Sequence, residues 1–410
     1  MPKTSLRALS AVAIVAAVAA AAERWSNADF PPRVRATAAI EARLGYSTPV
    51  VEYALDRLFF SLRTDALAAA IAHELGTLAA LDGPVERAGR PAGYARGVDR
   101  VVVVASDTTI GVALLPAVYA LAAKCTVVVK DRSDALVSAF FASLVEERPE
   151  FAAAATAQSW TGGDDPREVE LLGAADVVVA FGSDAALRAI RSHVRPDARF
   201  VGFGHRASIG YIDAERIPAR SRETLLEGIA ADALLYDGDG CLSLHALFVG
   251  GEAAASAALA VELAAAFERV SVEFPAGSSD PQRAAAAAAY RNLSAFRAAG
   301  GHGAVYAPAH ESATIAFDPP RDEPPPFLPR VLPVFPVREP AEAVEYIRRH
   351  RLPVEALGVS DPNTPEALTL AVAIGAVRVA RLGEMQAPPA GGHHGGAPRI
   401  ADFVRWIDRD

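Results

Sequence analysis

The sequence predicts an α/β fold: a parallel sheet with helices on both faces, followed by a second α/β unit. Three observations predict it. From Arg100 onward, short β-branched runs alternate with helical stretches. The strands "VVVVAS" and "DVVVAFG" are apolar throughout rather than at every second residue, as strands covered on both faces are. The alternation then resumes after Arg206. With 410 residues, 51% of them hydrophobic, the chain is long enough for two or three domains with cores of their own.

The elements follow in order. "LRALSAVAIVAAVAAAAERW" comes after Lys3 and has the basic, apolar and small residues of a secretory leader. Alanine, however, favours helix and is only weakly apolar, and an uncharged run of about fifteen residues is short for a membrane span. The favoured reading is a soluble helix of a cytoplasmic protein, stopped at "SNADFPPR"; a leader is the alternative. "TPVVEYALDRLFFSL" sets Val51, Leu55, Leu58, Phe59 and Leu62 on one helical face. Thr64 is placed to cap the next helix, and "DGPVERAGRPAGYARG" reads as loop. "VVVVAS", "CTVVVK", "DVVVAFG" and "ARFVGFG" are strands. Between them "GVALLPAVYALAA", "DALVSAFFASLVEE" and "SDAALRAIRSH" are helices, with Pro116 at a kink or in a first turn. The second unit reads as a helix ("SRETLLEGIAADALL"), a strand ("HALFVG") and a long helix ("EAAASAALAVELAAAFERV"). A proline-rich apolar crossing segment ("DPPRDEPPPFLPRVLPVFPV") leads to a helix ("EPAEAVEYIRRH") and a strand ("AVRVA"). The glycine-rich "GEMQAPPAGGHHGGAP" precedes a closing helix, "RIADFVRWIDRD".

A formal net charge of -9 and the absence of a long basic run exclude nucleic acid as the expected partner. Two cysteines exclude a disulfide framework and suit a reducing compartment. In doubly wound folds ligands sit at the carboxyl ends of strands. The loops there read "ASDTT", "KDRSDA", "AFGSDA" and "GFGHRAS", with no GxGxxG fingerprint among them. Gly182-Ser183-Asp184 offers amides at a helix start, which is an anion site or simply a cap.

One stretch departs from this pattern. "YDGDGCLSLH" puts Cys241 behind a Gly-Asp-Gly tract. Glycines there allow a sharp bend and close approach of another molecule. A nucleophilic thiol and a small buried hydrophobe are about equally compatible with that. Cys125, before an apolar strand, reads as core.

Five stretches together settle a resemblance: "VVVVASDTTIGVALLPAVYALAAKCTVVVKDRSD", "VVVAFGSDAALRAIR", "ARFVGFGHRASIGYI", "DALLYDGDGCLSLHALFV" and "GEMQAPPAGGHHGGAPRIADFVRWID". Over nearly its whole length the chain resembles the aldehyde dehydrogenase superfamily, and within it the acyl-CoA reductases of the bioluminescence (LuxC) type. The resemblance implies an aldehyde-dehydrogenase-like fold, with a Rossmann-type cofactor domain and an α/β catalytic domain. The expected boundaries are 1–205 for the N-terminal helices and NADP-binding domain, 206–380 for the thiol domain and 381–410 for the C-terminal loop and closing helix. It implies NADPH-dependent reduction of a fatty acyl-CoA or acyl-carrier thioester to the aldehyde through an acyl-cysteine. Partners implied are acyl-transferase or acyl-protein synthetase subunits and further copies of the chain.

Carried over by position, Cys241 is the nucleophile and Lys130 holds the adenine-side ribose. Gly182 and Ser183 face the pyrophosphate, and Ser106 or Asp107 falls where the superfamily has its oxyanion-hole asparagine. Arg132 and Ser133, with no glutamate three residues after Lys130, favour a 2′-phosphate. Three departures accompany the match. An ionised Asp107 cannot donate to an oxyanion. Asp237 and Asp239, if close and ionised, raise the thiol pKa, where a modest depression from about 8.5 is what attack requires. Gly202 stands where hydrolytic members carry their glutamate, which fits a reductase and leaves open a glycine kept for a positive φ.

His245, four residues past Cys241, is a proton donor or a structural contact. His205 and Arg206 are phosphate ligands or surface groups. His393-His394 lacks a third metal ligand and reads as a loop near the acyl entrance. Two other functions compete with the reductase: an oxidative aldehyde dehydrogenase, CoA-acylating or hydrolytic, and a catalytically weak scaffold for an acyl-transfer complex.

Overall fold

The computed structural model describes residues 5–106, 109–131, 136–160, 166–278, 280–307 and 313–409. Asp107, Arg132 and Ser133 lie outside them. The chain opens with helices α1 (Ala11–Ser26), α2 (Pro31–Leu44), α3 (Thr48–Phe60) and α4 (Thr64–Leu75). Strands β1 (Val85–Arg87), β2 (Arg90–Gly97) and β3 (Arg100–Val104) follow, then α5 (Leu114–Ala122), β4 (Thr126–Lys130), α6 (Leu136–Glu147) and β5 (Ala155–Gln158). Next come α7 (Pro166–Gly173), β6 (Val177–Phe181), α8 (Asp184–Ser192), β7 (Arg199–Phe203), β8 (Ala207–Asp213) and α9 (Ala219–Leu234). The chain continues through β9 (Leu244–Gly250), α10 (Ala253–Glu273), α11 (Pro281–Ala299), β10 (Ala304–Tyr306), β11 (Thr314–Phe317) and β12 (Val331–Val337). It closes with α12 (Pro340–Arg349), β13 (Val354–Val359), α13 (Pro365–Ile374), β14 (Arg378–Arg381) and β15 (Val404–Arg409).

Two compact units result. One comprises residues 1–44, 51–204 and 389–410; the other comprises 45–50 and 205–388.

In the first unit the parallel sheet runs β5-β4-β3-β6-β7. The order reverses at β3 and β6, and the crevice at such a switch point is where doubly wound sheets take ligands. Val101, Val102, Val103 and Val104 are all buried, which is why the strand shows no polar alternation. The alanine-rich N-terminal segment is helix α1, capped by the Ser10 hydroxyl. Its Trp25 is fully buried against Phe59 (5.1 Å) and Phe140 (6.1 Å), and its indole N–H donates to the Ser143 hydroxyl (3.0 Å). Among the described residues no helix is long and apolar enough to cross a membrane.

Three local expectations are corrected here. "DGPVERAGRPAGYARG" is not a loop but the β1–β2 hairpin. The expected closing helix is strand β15, paired antiparallel with β2 from Val404↔Gly97 to Arg409↔Ala92. Each segment lacks a strong signal of its own, and tertiary pairing decides between states that local preference leaves close in energy. The Arg87 guanidinium, 4.3 Å from the Trp406 ring centroid, covers the joint. Thr64 is the first helical residue of α4 rather than its cap, which is Arg63.

The second unit holds the sheet β10-β11-β12-β9-β8-β13-β14, parallel except for β10 against β11. Phe248, Phe335 and Tyr346 meet in its core with ring centroids 5.2–5.6 Å apart. The apolar crossing segment becomes the inner strand β12, between β11 and β9.

Candidate active site

Cys241 lies in the turn from α9 to β9, at the amino ends of the strands of the second unit. The turn bends through three successive positive φ values: Tyr236 (56°), Asp237 (50°) and Gly238 (79°). Only Gly238 takes that region without strain; the other two stand at about 1–2 kcal/mol each. Side chains hold the bend in place. The Arg330 guanidinium donates to the Asp237 carboxylate (3.0 Å), and the Arg330 amide donates to the Asp237 carbonyl (2.9 Å). Both side chains of that pair are buried, 4% and 9% exposed. The Gly277 amide donates to the same carboxylate (3.2 Å). Arg283 forms a two-pronged pair with Asp239 (2.5 and 2.6 Å).

Two further clamps act next to the thiol. The Ser208 hydroxyl, at the start of β8, donates to the Cys241 carbonyl (2.7 Å). The Gln386 side-chain amide donates to the Ser243 hydroxyl (2.9 Å), and the Ser243 amide closes a turn on the Gly240 carbonyl (2.9 Å). Gln386 is itself placed by buried Asp232 on α9, whose carboxylate accepts from the Gly383 amide (2.5 Å) and the Met385 amide (3.1 Å). Burial pushes the Asp232 carboxyl up to about 7 against the pull of those amides.

His245 occupies a bulge. Ser208 pairs with Leu244 and Ile209 with Ala246, so His245 is the extra residue of β9. Its Nδ1 accepts from the Ser208 amide (3.1 Å), and burial pushes its pKa down to about 4. The ring is therefore neutral, with its proton on Nε2. It packs edge-on to Phe327, which also meets His205.

The thiol is not depressed. Burial, then the Glu355 carboxylate, push Cys241 up to about 11, while Arg206 and Arg378 pull the other way. The expected influence of Asp237 and Asp239 is corrected: both are paired to arginines, and the charge that raises the thiol comes from β13. Arg206 is 3.5 Å from the Glu355 carboxylate.

In the first unit, Ser106 follows β3, and the Ala105 amide beside it donates to the Lys130 carbonyl (3.0 Å). Lys130 ends β4 as a buried cation, 2.5 Å from the Glu168 carboxylate of α7 and 5.1 Å from the Trp160 ring centroid. The Trp160 indole N–H also donates to Glu168 (2.8 Å). A glutamate thus reaches Lys130 from α7, where the segment after the lysine has none. Ser183 caps α8 by accepting from the Ala186 amide (3.3 Å), and the Gly182 amide donates to the Phe203 carbonyl (3.2 Å).

Gly202 is in β7, opposite Ala180, and its φ is not positive, so strain is not what keeps it glycine. A Cβ there meets the rim of the Phe200 ring at 2.8 Å. His394 stacks on Phe203 (4.3 Å), which stacks on Phe181 (4.9 Å), beside a cavity of about 30 Å³. Among the described residues no cluster of His, Cys, Asp and Glu fits a metal. Cys125 is buried and pushed up to about 12 by that burial, as a core cysteine is.

Ser208, Glu355, Arg330 and Gln386 escape sequence reasoning. Glu355 alone leaves a local signal, as the one charged residue in "LPVEALGV". The others become functional only through strands and turns distant in sequence.

A doubly wound sheet in one unit, and in the other a largely parallel sheet carrying a clamped cysteine at its amino edge, define the fold class: that of the aldehyde dehydrogenases. Solved structures share that fold. An oxidoreductase from Marinobacter aquaeolei is 14% identical, over 97% of this chain and 84% of that one, with a TM-score of 0.71. An NAD-dependent benzaldehyde dehydrogenase from Corynebacterium glutamicum is 14% identical, over 98% and 87%, at 0.70. A gamma-glutamyl-gamma-aminobutyraldehyde dehydrogenase from Burkholderia cenocepacia J2315 is 16% identical, over 99% and 84%, at 0.68. No curated protein matches the sequence. The chain belongs to the LuxC acyl-CoA reductase family, whose profile matches residues 6–406.

Proposed function

We propose that the protein reduces a fatty acyl-CoA to the fatty aldehyde with NADPH, through an acyl group carried on Cys241. The observation that carries this reading is the Cys241 turn, in a chain matched to the acyl-CoA reductase family from end to end. Backbone strain at Tyr236 and Asp237 is held by Arg330, and Arg283, Ser208 and Gln386 fasten the same turn at Asp239, the Cys241 carbonyl and Ser243. Strain retained under that many constraints is a mark of functional sites.

The Cys241 thiolate attacks the thioester carbonyl and exchanges one thioester for another. The Ser208 bond to the Cys241 carbonyl fixes the peptide plane that follows Cys241, which limits reorganisation of the turn during attack. Neutral His245 acts as a brace between β8 and β9. At the carboxyl end of β4, Lys130, Glu168 and Trp160 gather a cation, a carboxylate and a flat ring, groups that fit the ribose and base of a dinucleotide. When bound, NADPH supplies the hydride. By the resemblance Gly202 stands where hydrolytic members carry their glutamate, which supports reduction over hydrolysis of the acyl group.

The test is incubation with labelled long-chain acyl-CoA in the absence of NADPH. Label on Cys241, released by hydroxylamine and absent from Cys241→Ala, is the expected result. A Cys241→Ala chain that still makes aldehyde at the wild-type rate refutes the reading.

A further inference from the structure

The Cys241 turn is tied to a short segment that is itself held between two opposite charges. That segment is 382–386, directly after β14. On one side the Asp232 carboxylate of α9 accepts from the Gly383 amide (2.5 Å) and the Met385 amide (3.1 Å). On the other, the Arg378 guanidinium donates to the Met385 carbonyl (2.6 Å) and the Glu384 carbonyl (3.1 Å). Gly383 takes a φ of 94°, and a Cβ on Gly228 of α9 would stand 2.7 Å from its Cα, so the segment is seated closely on the helix that carries Asp232. Amides turned together onto one anion form a nest. Here the anion is the protein's own carboxylate.

The segment reaches the turn that holds the thiol. The Ser243 amide bonds the Gly240 carbonyl (2.9 Å), so Cys241 is the first of the two residues enclosed by a four-residue turn. The Gln386 side-chain amide donates to the Ser243 hydroxyl (2.9 Å) and to the Asp232 carbonyl (3.3 Å). The Ser243 hydroxyl in turn donates to the Leu235 carbonyl (3.4 Å). From the Asp232 carboxylate to the Cys241 turn, the links are hydrogen bonds joined by a few residues of one segment. Asp232 is 1% exposed, and the donors to its carboxylate are amides, whereas Asp237 and Asp239 are each bonded to an arginine. An ionised carboxylate buried on amides alone costs stability, and such groups are rare unless they are used.

We propose that Asp232 is a positioning residue for Cys241, holding its turn through Gln386 while the carboxylate is ionised and releasing it on taking up a proton. The proposal rests on Cys241 being the nucleophile. The ionised carboxylate accepts with both oxygens; the protonated acid gives one oxygen to an O–H, and one of the two amide bonds weakens. Segment 382–386 then loses a tether opposite Arg378, and the grip of Gln386 on Ser243 slackens. Burial brings the Asp232 carboxyl up to about 7, so it is ionised above neutrality and protonated below it. Around it, Arg378 of β14 keeps its charge throughout, and Glu384 is paired with Arg381. Asp237 and Asp239 are held by Arg330 and Arg283, His245 of β9 is uncharged above about 4, and Cys241 is protonated below about 11. On α10, Glu262 and Arg269 are paired with Arg222 and Glu227 of α9. The step near neutrality therefore belongs to Asp232.

The experiment measures the rate at which labelled acyl-CoA acylates Cys241, without NADPH, from about pH 6 to about pH 9. It compares wild type, Asp232→Asn, Gln386→Ala and the double variant. At about pH 8, Asp232→Asn and Gln386→Ala should each acylate on the order of 10–10²-fold more slowly, as a nucleophile displaced by up to an ångström does. Below about 7 the wild-type rate should fall more steeply than theirs, so that the curves converge. The double variant should be no slower than the slower single, because the two residues act through one link. General loosening of the site instead lowers the rate by the same factor at every pH. Gln386→Ala keeps the buried carboxylate, and where Asp232→Asn does not fold it carries the test alone, its profile lacking the fall near 7. A wild-type rate in Gln386→Ala at about pH 8 overturns the proposal, as does a ratio to wild type that is constant across the range, or losses that multiply in the double variant. A wild-type chain that takes no label on Cys241 at any pH overturns the parent reading of the nucleophile, and this proposal with it.

Discussion

Replacing Arg330 with methionine tests whether the Cys241 turn is held by charge or only by packing. The guanidinium faces the Asp237 carboxylate at 3.0 Å with both side chains almost wholly out of water, and it also donates to the Ser271 hydroxyl (3.2 Å). Methionine fills much of the same space but leaves Asp237 with the Gly277 amide (3.2 Å) as its remaining donor. Burial already raises the Asp237 pKa even with Arg330 opposing it, so removing the arginine drives it further up. Breaking a buried pair by deleting one partner costs about 3–5 kcal/mol, a large part of the 5–15 kcal/mol that typically separates folded from unfolded. The left-handed backbone at Tyr236 and Asp237 then loses the contact that opposes its strain. Arg330→Met should therefore lower the urea midpoint by the equivalent of about 3 kcal/mol or more at unchanged slope. The double variant Arg330→Met, Asp237→Asn should recover at least half of that, because no orphan charge remains and asparagine accepts a positive φ. A single variant that loses under about 1 kcal/mol, or a double variant no better than the single, refutes the reasoning.

Two further outcomes are expected. An unfolded imidazole takes up a proton near pH 6.5 but His245 only near 4, so the stability it contributes is complete above 6.5 and lost as pH falls toward 4, by up to about 3 kcal/mol; urea midpoints measured across that window should flatten in His245→Gln, and equal slopes in the two proteins count against it. Glu168→Gln removes the carboxylate beside Lys130, and should raise the preference for NADPH over NADH on the order of tenfold, about 1.4 kcal/mol, at some loss of stability; quenching of Trp160 fluorescence by each cofactor reads this apart from turnover, and an unchanged ratio removes Glu168 from cofactor selection.

The first sheet was legible because its strands announce themselves. Runs such as Val101–Val104 and Val177–Ala180 have no polar residue to mislead, and the faces Leu136, Phe140, Phe141 and Leu144, or Val51, Leu55 and Phe59, are buried as their spacing requires. The failures fall where partner and residue lie far apart in the chain. β2 is rich in glycine, proline and arginine, and becomes a strand because β15 supplies its hydrogen bonds from more than three hundred residues away. β15 looks helical for the same reason, since nothing local shows what it pairs with. Strand β8 was passed over as the tail of "GFGHRASIGYI", yet its second residue holds both Cys241 and His245. In the site, the bend before Cys241 was legible from its glycines, whereas the source of the charge that acts on the thiol was not. Proximity in sequence pointed to Asp237 and Asp239; the fold spends both on arginines and brings Glu355 from more than a hundred residues later.

That exchange of acids bears on how such a site works. If Asp237 and Asp239 were unpaired beside Cys241, two charges would hold the thiol protonated with no means of release, because both belong to the turn that fixes it. Paired to Arg330 and Arg283, they act as fasteners and leave the thiol's protonation to groups on other strands. Glu355 favours the protonated thiol while Arg206 and Arg378 favour the thiolate, and none of the three belongs to the turn. Arg378 donates to the Met385 carbonyl (2.6 Å) and the Glu384 carbonyl (3.1 Å), in the same segment whose Gln386 grips Ser243. One short turn after β14 therefore holds both the Cys241 loop, through Gln386, and a cation that favours the thiolate, Arg378. A protonated thiol at rest also resists oxidation, because the thiolate is the form that oxidants attack. On the proposed function, reactivity is then confined to the moment when an acyl thioester is in place.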